Sequence, residues 1–290
     1  MRLTIPTSLI RLAKPLLRVH LGLYRREVAS APYPVDEPEY EVAGTDPDRL
    51  AFIGSIAVSG FGVLRHGMKT SSQVAQRVAA ARLRGCTWSE VTSPTLTASN
   101  TMREKTLVPQ GTRAAVILLG ITDVLLGTAP CEWARDLDAV VERIRDESGV
   151  ETAIVLAGVP PMTEFRAIPP VAARLLTRQI DALNTATAAF ACDRAGVTYV
   201  PFPVWDVGAL FIQDALSWAT MHRLWAKAIA PAVIEHLEGA PATAATTGAS
   251  AGASTVRSAG GSTGASAGAS TVRSAGAPAG ASVSARAAAR

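Results

Sequence analysis

Three cysteines are all that the 290 residues supply. Cys86, Cys131 and Cys192 form no CxxC pair and no Cys/His cluster with metal spacing, so the sequence offers neither a disulfide framework nor a structural zinc motif. A free cysteine behaves as a small hydrophobe, and all three are expected as buried thiols. Aromatic residues are also sparse, at 5% of the chain. Trp88, Trp133, Trp205, Trp218 and Trp225 are scattered rather than spaced as a stacking platform. There is no P-loop and no GxGxxG opening a helix after a strand, and nothing in the sequence asks for a cofactor. No uncharged run approaches the roughly 18 to 20 residues a membrane span needs.

Acidic residues are missing from both ends. Residues 1 to 26 carry six basic side chains and no acid, and residues 240 to 290 carry four arginines and no acid. With those ten set apart, 18 basic residues face 24 acidic ones, so the central part is net negative and shows no nucleic-acid face. A signal peptide fits poorly, because Arg11, Lys14 and Arg18 interrupt the apolar stretch and Pro32 follows the small-residue site Ala29-Ser30-Ala31. The expected location is cytoplasmic or peripheral to a membrane. What remains is a basic amphipathic helix from about Ser8 to Arg26 with Pro15 as a bend. Two readings stand for it: contact with an anionic membrane surface through residues 1–26, or packing of its leucines on the domain that follows.

At the other end, GASAGASTVRSAG at 248–260 recurs at 264–276. Each unit holds one valine and no aromatic residue, too little to bury a core, so the tail is expected to be disordered. The expected organisation is therefore a basic segment at 1–47, a folded domain at 48–238 and an Ala/Gly/Ser/Thr-rich tail at 239–290.

Between the flanks, apolar runs alternate with helical patterns. Strands are expected at Leu50 to Gly54, Thr87 to Thr92, Ala114 to Gly120, Thr152 to Gly158 and Thr198 to Pro201. Helices are expected at Thr70 to Arg84, Cys131 to Glu147, Pro170 to Arg194 and Ala219 to Leu237. Continuous apolar strands such as AAVILLG and AIVLAG suit burial on both faces of a parallel sheet. Five of them separated by helices give an α/β three-layer sandwich. Ligand sites in such folds gather at the carboxyl ends of the strands. Those ends read GSIAVSG, TSPTLTAS, GITDVLLG, AGVPPM and PFPVWD.

Taken in order, these ends resemble the SGNH/GDSL hydrolase family of serine esterases and lipases over roughly residues 48 to 238. GSIAVSGFGV resembles the family's Gly-Asp-Ser-Ile block with its later Gly-aromatic-Gly. LLGITDVLLGTAP resembles the Gly-x-Asn-Asp block, and VLAGVPPM followed by FPVWDVGALFIQDALSWATMHRLWAKAIAPAVI resembles the late strand and the final Asp-x-x-His-Pro block. The resemblance implies a flavodoxin-like five-stranded parallel sheet, carboxylic-ester hydrolysis without a cofactor, and a small acyl or glycan ligand.

The signature positions depart from that pattern. The resemblance puts Ile56 at the nucleophilic serine, Thr95 or its neighbour Pro94 at the oxyanion glycine, Thr122 at the oxyanion asparagine and Ser217 at the general-base histidine. Asp214 falls on the family aspartate and Trp218 on the proline. A serine is a weak nucleophile without a base, and an isoleucine is none. One reading is a catalytically degenerate protein that binds an acyl or glycan ligand or a protein partner. In the other, a one-residue deletion makes Ser55 the nucleophile, with His222 as base and Asp214 behind it. As plain structural residues, Asp214 and Ser217 would cap the last helix, and His222 would sit inside it.

Overall fold

The computed structural model describes residues 7–149, 151–165, 168–204, 211–212 and 215–239. The chain opens with helix α1 (Thr7–Ser30), followed by the two-residue strand β1 (Glu41–Val42) and strand β2 (Asp48–Gly54). After a short helix α2 (Ile56–Ser59) come α3 (Thr70–Arg82), β3 (Cys86–Thr92), α4 (Ala98–Thr101) and β4 (Ala114–Leu118). Then follow α5 (Ile121–Leu126), α6 (Pro130–Ser148), β5 (Ala153–Ala157), α7 (Pro170–Cys192) and β6 (Val197–Val200). A small hairpin, β7 (Phe211–Ile212) and β8 (Ala215–Leu216), leads into α8 (Trp218–Gly239).

The main sheet has the order β1-β3-β2-β4-β5-β6. Only β1 is antiparallel, paired at the edge with β3. The five parallel strands, taken in their own chain order, run 2-1-3-4-5, which is the flavodoxin-like order. All five expected strands and all four expected helices are present, with ends shifted by a few residues.

Both faces of the sheet are buried, which is why its strands read as unbroken apolar runs. Alternation along each strand divides the side chains between two cores. Ala51, Ile53, Ala115, Ile117, Ile154 and Leu156 pack with residues of α1, α5, α6 and α7. Leu50, Phe52, Val116, Leu118 and Val155 pack with residues of α3 and α8 on the other face.

Buried charge anchors the amino end of the sheet. Asp48 is wholly buried at the start of β2, and its carboxylate accepts from Arg82 of α3 at 2.6 Å and from Arg113 before β4 at 3.2 Å. Near the opposite end, Lys69 and Glu90 pair at 2.5 Å while both are nearly buried.

Two sequence expectations are corrected here. The domain does not begin at residue 48: Leu17, Leu21, Tyr24 and Val28 of α1 lie in the same core as the sheet residues. Their i, i+4, i+7 spacing makes one apolar stripe on the helix, and that stripe is turned inward. Second, only Cys86 is buried, whereas Cys131 and Cys192 are exposed on α6 and α7. Both fall on helix faces turned away from the core. The tail from residue 240 onward lies outside the described residues.

Burial beside Asp48 pushes the Cys86 thiol up to about 12, so it stays protonated and shielded. Titration of the native protein with Ellman's reagent is expected to release two equivalents quickly, from Cys131 and Cys192. The third is expected only after denaturation.

Candidate functional site

The strand order reverses between β2 and β4, and their carboxyl ends open a crevice there. At the end of β2 the Ser55 amide donates to the Leu118 carbonyl at 3.2 Å, tying the turn to β4. Helix α2 follows at once, so Ile56 takes the first helical position and is buried. The Gly-Phe-Gly segment then closes the turn. Gly62 has φ +78°, and a Cβ there would lie 2.2 Å from Cγ of Trp218, so only glycine admits the indole. Phe61 meets the same indole edge-on, with ring centroids 4.5 Å apart.

The turn after β4 is built in a similar way. Gly120 has φ +115°, and a Cβ there would strike the Val159 side chain at 2.4 Å. Helix α5 starts directly after it, which brings Ile121 and Leu125 to the crevice.

A cavity of about 60 Å³ results. Its walls are Ile56, Phe61, Ile121, Leu125, Pro160, Met162, Phe165, Ile168, Leu176, Trp218 and Met221. Helix α1 adds His20, Tyr24 and Glu27 as the polar part of the lining. The Tyr24 hydroxyl donates to the Pro94 carbonyl at 2.6 Å and so pins α1 over the loop after β3.

The site residues expected from sequence separate in this geometry. Ile56 lines the cavity; Ser55, its neighbour, is buried and is not among the lining residues. Thr95 is half-buried in the loop after β3. Ser217 caps α8: its Oγ accepts the Thr220 amide at 3.3 Å and donates to the Thr220 hydroxyl at 2.9 Å. Asp214 lies outside the described residues.

His222 sits one turn inside α8 and is completely buried. Its Nδ1 accepts the Thr70 amide at 3.2 Å and lies 2.8 Å from the Thr70 hydroxyl. That acceptance leaves the proton on Nε2, which donates to the Phe61 carbonyl at 3.0 Å. Both ring nitrogens are thus engaged with α3 and the Phe61 turn, and His222 is not brought to Ser55. Burial holds this imidazole down at about 4, so it is neutral at ordinary pH.

Thr122 and Asp123 are buried at the start of α5. Among the described residues Thr122 Oγ1 and Asp123 Oδ2 have no hydrogen-bond partner. The Ala98 amide donates to the Asp123 carboxyl, but burial dominates and pushes that group up to about 7.

Sequence reasoning named none of His20, Tyr24 and Glu27: it left open that the leucines of this helix pack on the domain, but it drew the domain boundary at 48 and sought the site only at the strand ends. The signal was present in the stripe of Leu17, Leu21, Tyr24 and Val28, which is the spacing of a helix packed on a core.

No family model matches the chain, and no curated protein does so. Among solved structures it is similar to an active-site mutant of a family two carbohydrate esterase from Clostridium thermocellum, at 12% identity over 68% of this chain and 67% of that one, with a TM-score of 0.47. It is also similar to an extracellular lipase from Streptomyces rimosus, at 14% identity over 67% of this chain and 100% of the other, with a TM-score of 0.45. A third is a lipolytic protein of the G-D-S-L family from Veillonella parvula, at 13% identity, 66% and 99% coverage and a TM-score of 0.47. The α/β sandwich itself stands on the strand order given above.

The two perturbed groups give opposite pH dependences. The unfolded chain protonates His222 near 6.5 and the folded chain only near 4, so this group's contribution is full above 6.5 and lost as pH falls toward 4. Asp123 keeps its proton in the folded state up to about 7, against 3.8 unfolded, so its contribution is present at acid pH and lost as pH rises through 7. Asp123→Asn should therefore gain stability over the wild type as pH rises from about 4 to 8, by up to about 4 kcal/mol. Urea denaturation at the two pH values checks this, and an unchanged difference would contradict it.

Proposed function

We propose that this chain is a catalytically silent protein on an esterase-like scaffold that binds a short acyl group in the strand-end cavity. The observation that carries this reading is the cavity wall at Ile56. Where the family resemblance calls for a nucleophile, an aliphatic side chain faces the cavity and continues into Ile121, Leu125 and Trp218. Such walls suit a hydrocarbon chain. They offer few partners to the hydroxyls of a sugar, and burying a hydroxyl without a partner costs about 1–3 kcal/mol. The acyl ligand is therefore favoured over the glycan.

Size narrows the ligand further. At about 10–15 Å³ per water-sized position, the cavity admits about four to six heavy atoms. Of the polar lining residues, His20 is the one with an N–H to offer the carbonyl end of such a group, because the Tyr24 hydroxyl proton goes to the Pro94 carbonyl and the Glu27 carboxylate only accepts. The alternative, an esterase using Ser55, needs a base that can reach that hydroxyl. The hydrogen bonds made by both nitrogens of His222 speak against its serving as one.

Saturation-transfer NMR with methyl propionate, which has six heavy atoms, tests the reading. Saturable contact with the intact chain is expected, and Leu125→Trp, which fills the cavity, should abolish it while circular dichroism still reports the fold. Ile121→Phe offers a second, smaller obstruction. Saturable binding of a short oligosaccharide with none of the ester would overturn the acyl assignment.

A further inference from the structure

Helix α1 has a second face that the cavity does not use. Opposite the inward stripe of Leu17, Leu21, Tyr24 and Val28, two adjacent stripes run along the outside at helical spacing. Arg18, Gly22, Arg25 and Ala29 form one, and Val19, Leu23, Arg26 and Ser30 the other; all eight are exposed. Val19 is 60% exposed and Leu23 48%, one turn apart, with three arginines around them. None of those arginines has an ion-pair partner among the described residues. Elsewhere arginines are commonly paired, as Arg82, Arg113, Arg143 and Arg194 are.

Unpaired guanidinium groups beside exposed aliphatic side chains match one kind of partner in both respects. Anionic headgroups answer the arginines, and the acyl boundary beneath them answers Val19 and Leu23. We infer that the outer face of α1 docks the protein on an anionic lipid surface, with the helix lying in the interface plane. A nucleic acid would answer the arginines but leave Val19 and Leu23 in water. The folded domain beneath is net negative, so charge alone would orient the chain with α1 toward the membrane. This surface stands apart from the identity of the cavity ligand, since none of its residues lines the cavity.

Vesicle flotation with the full chain tests the inference. Binding to vesicles of phosphatidylcholine with 30% phosphatidylglycerol is expected, with little to phosphatidylcholine alone. At about a factor of five per basic residue near the surface, Arg18→Gln/Arg25→Gln/Arg26→Gln should weaken partitioning about a hundredfold. Val19→Ser/Leu23→Ser should weaken it while leaving the charge intact, which separates insertion from mere attraction. All these side chains are exposed, so the melting temperature should hold, and it serves as the fold control. Equal flotation of the arginine variant and the wild type, equal binding to neutral vesicles, or retardation of nucleic acid with no flotation would each overturn the assignment.

Discussion

Much of this structure follows from one gap. In a 2-1-3-4-5 parallel sheet the connections leaving the two central strands turn to opposite faces, so a crevice opens between their carboxyl ends. Here those strands are β2 and β4, which lead into Ser55 and Ile56 on one side and, after Leu119, into Gly120 and Ile121 on the other. A crevice lined by polar side chains favours chemistry, because charges and donors aimed into it act in a low dielectric. One lined by Ile56, Ile121, Leu125 and Trp218 must instead be covered or filled. Helix α1 covers it, and the cavity that remains is what the packing leaves between them.

That dependence gives the N-terminal helix its place. The Tyr24 hydroxyl holds α1 to the Pro94 carbonyl, and Leu17 and Leu21 seal it into the core that contains Ile53 and Ile117. The same helix presents arginines outward. Its two faces thus join an apolar cavity to a basic surface across one helix diameter, roughly 10–12 Å. Access to the cavity and contact with an anionic surface would both pass through this element.

The sheet was legible from sequence because each strand obeys a local rule. AAVILLG and AIVLAG are apolar without a break, and both faces of β4 and β5 are indeed covered. The Gly-Phe-Gly segment was legible as a turn, although the reason for its second glycine, the Trp218 indole at residue separation 156, was not. Long-range facts of that kind are invisible to spacing. His222 shows the same limit: eight residues from Asp214, it was a candidate base on paper, yet Thr70 and Phe61 bind both its nitrogens from other parts of the chain. For α1 the packing of its leucines on the domain was one of two readings open from sequence, yet the boundary was drawn at 48 because six basic residues at 1 to 26 suggested a separate segment.

If the strand ends bind rather than cut, no serine there is activated, and intact-mass spectrometry after incubation with a fluorophosphonate reads this out. That reagent labels a serine only when a neighbouring base has activated it. An unmodified mass, beside a serine hydrolase that labels fully, is the expected result. A single stoichiometric adduct mapping to Ser55 would contradict it.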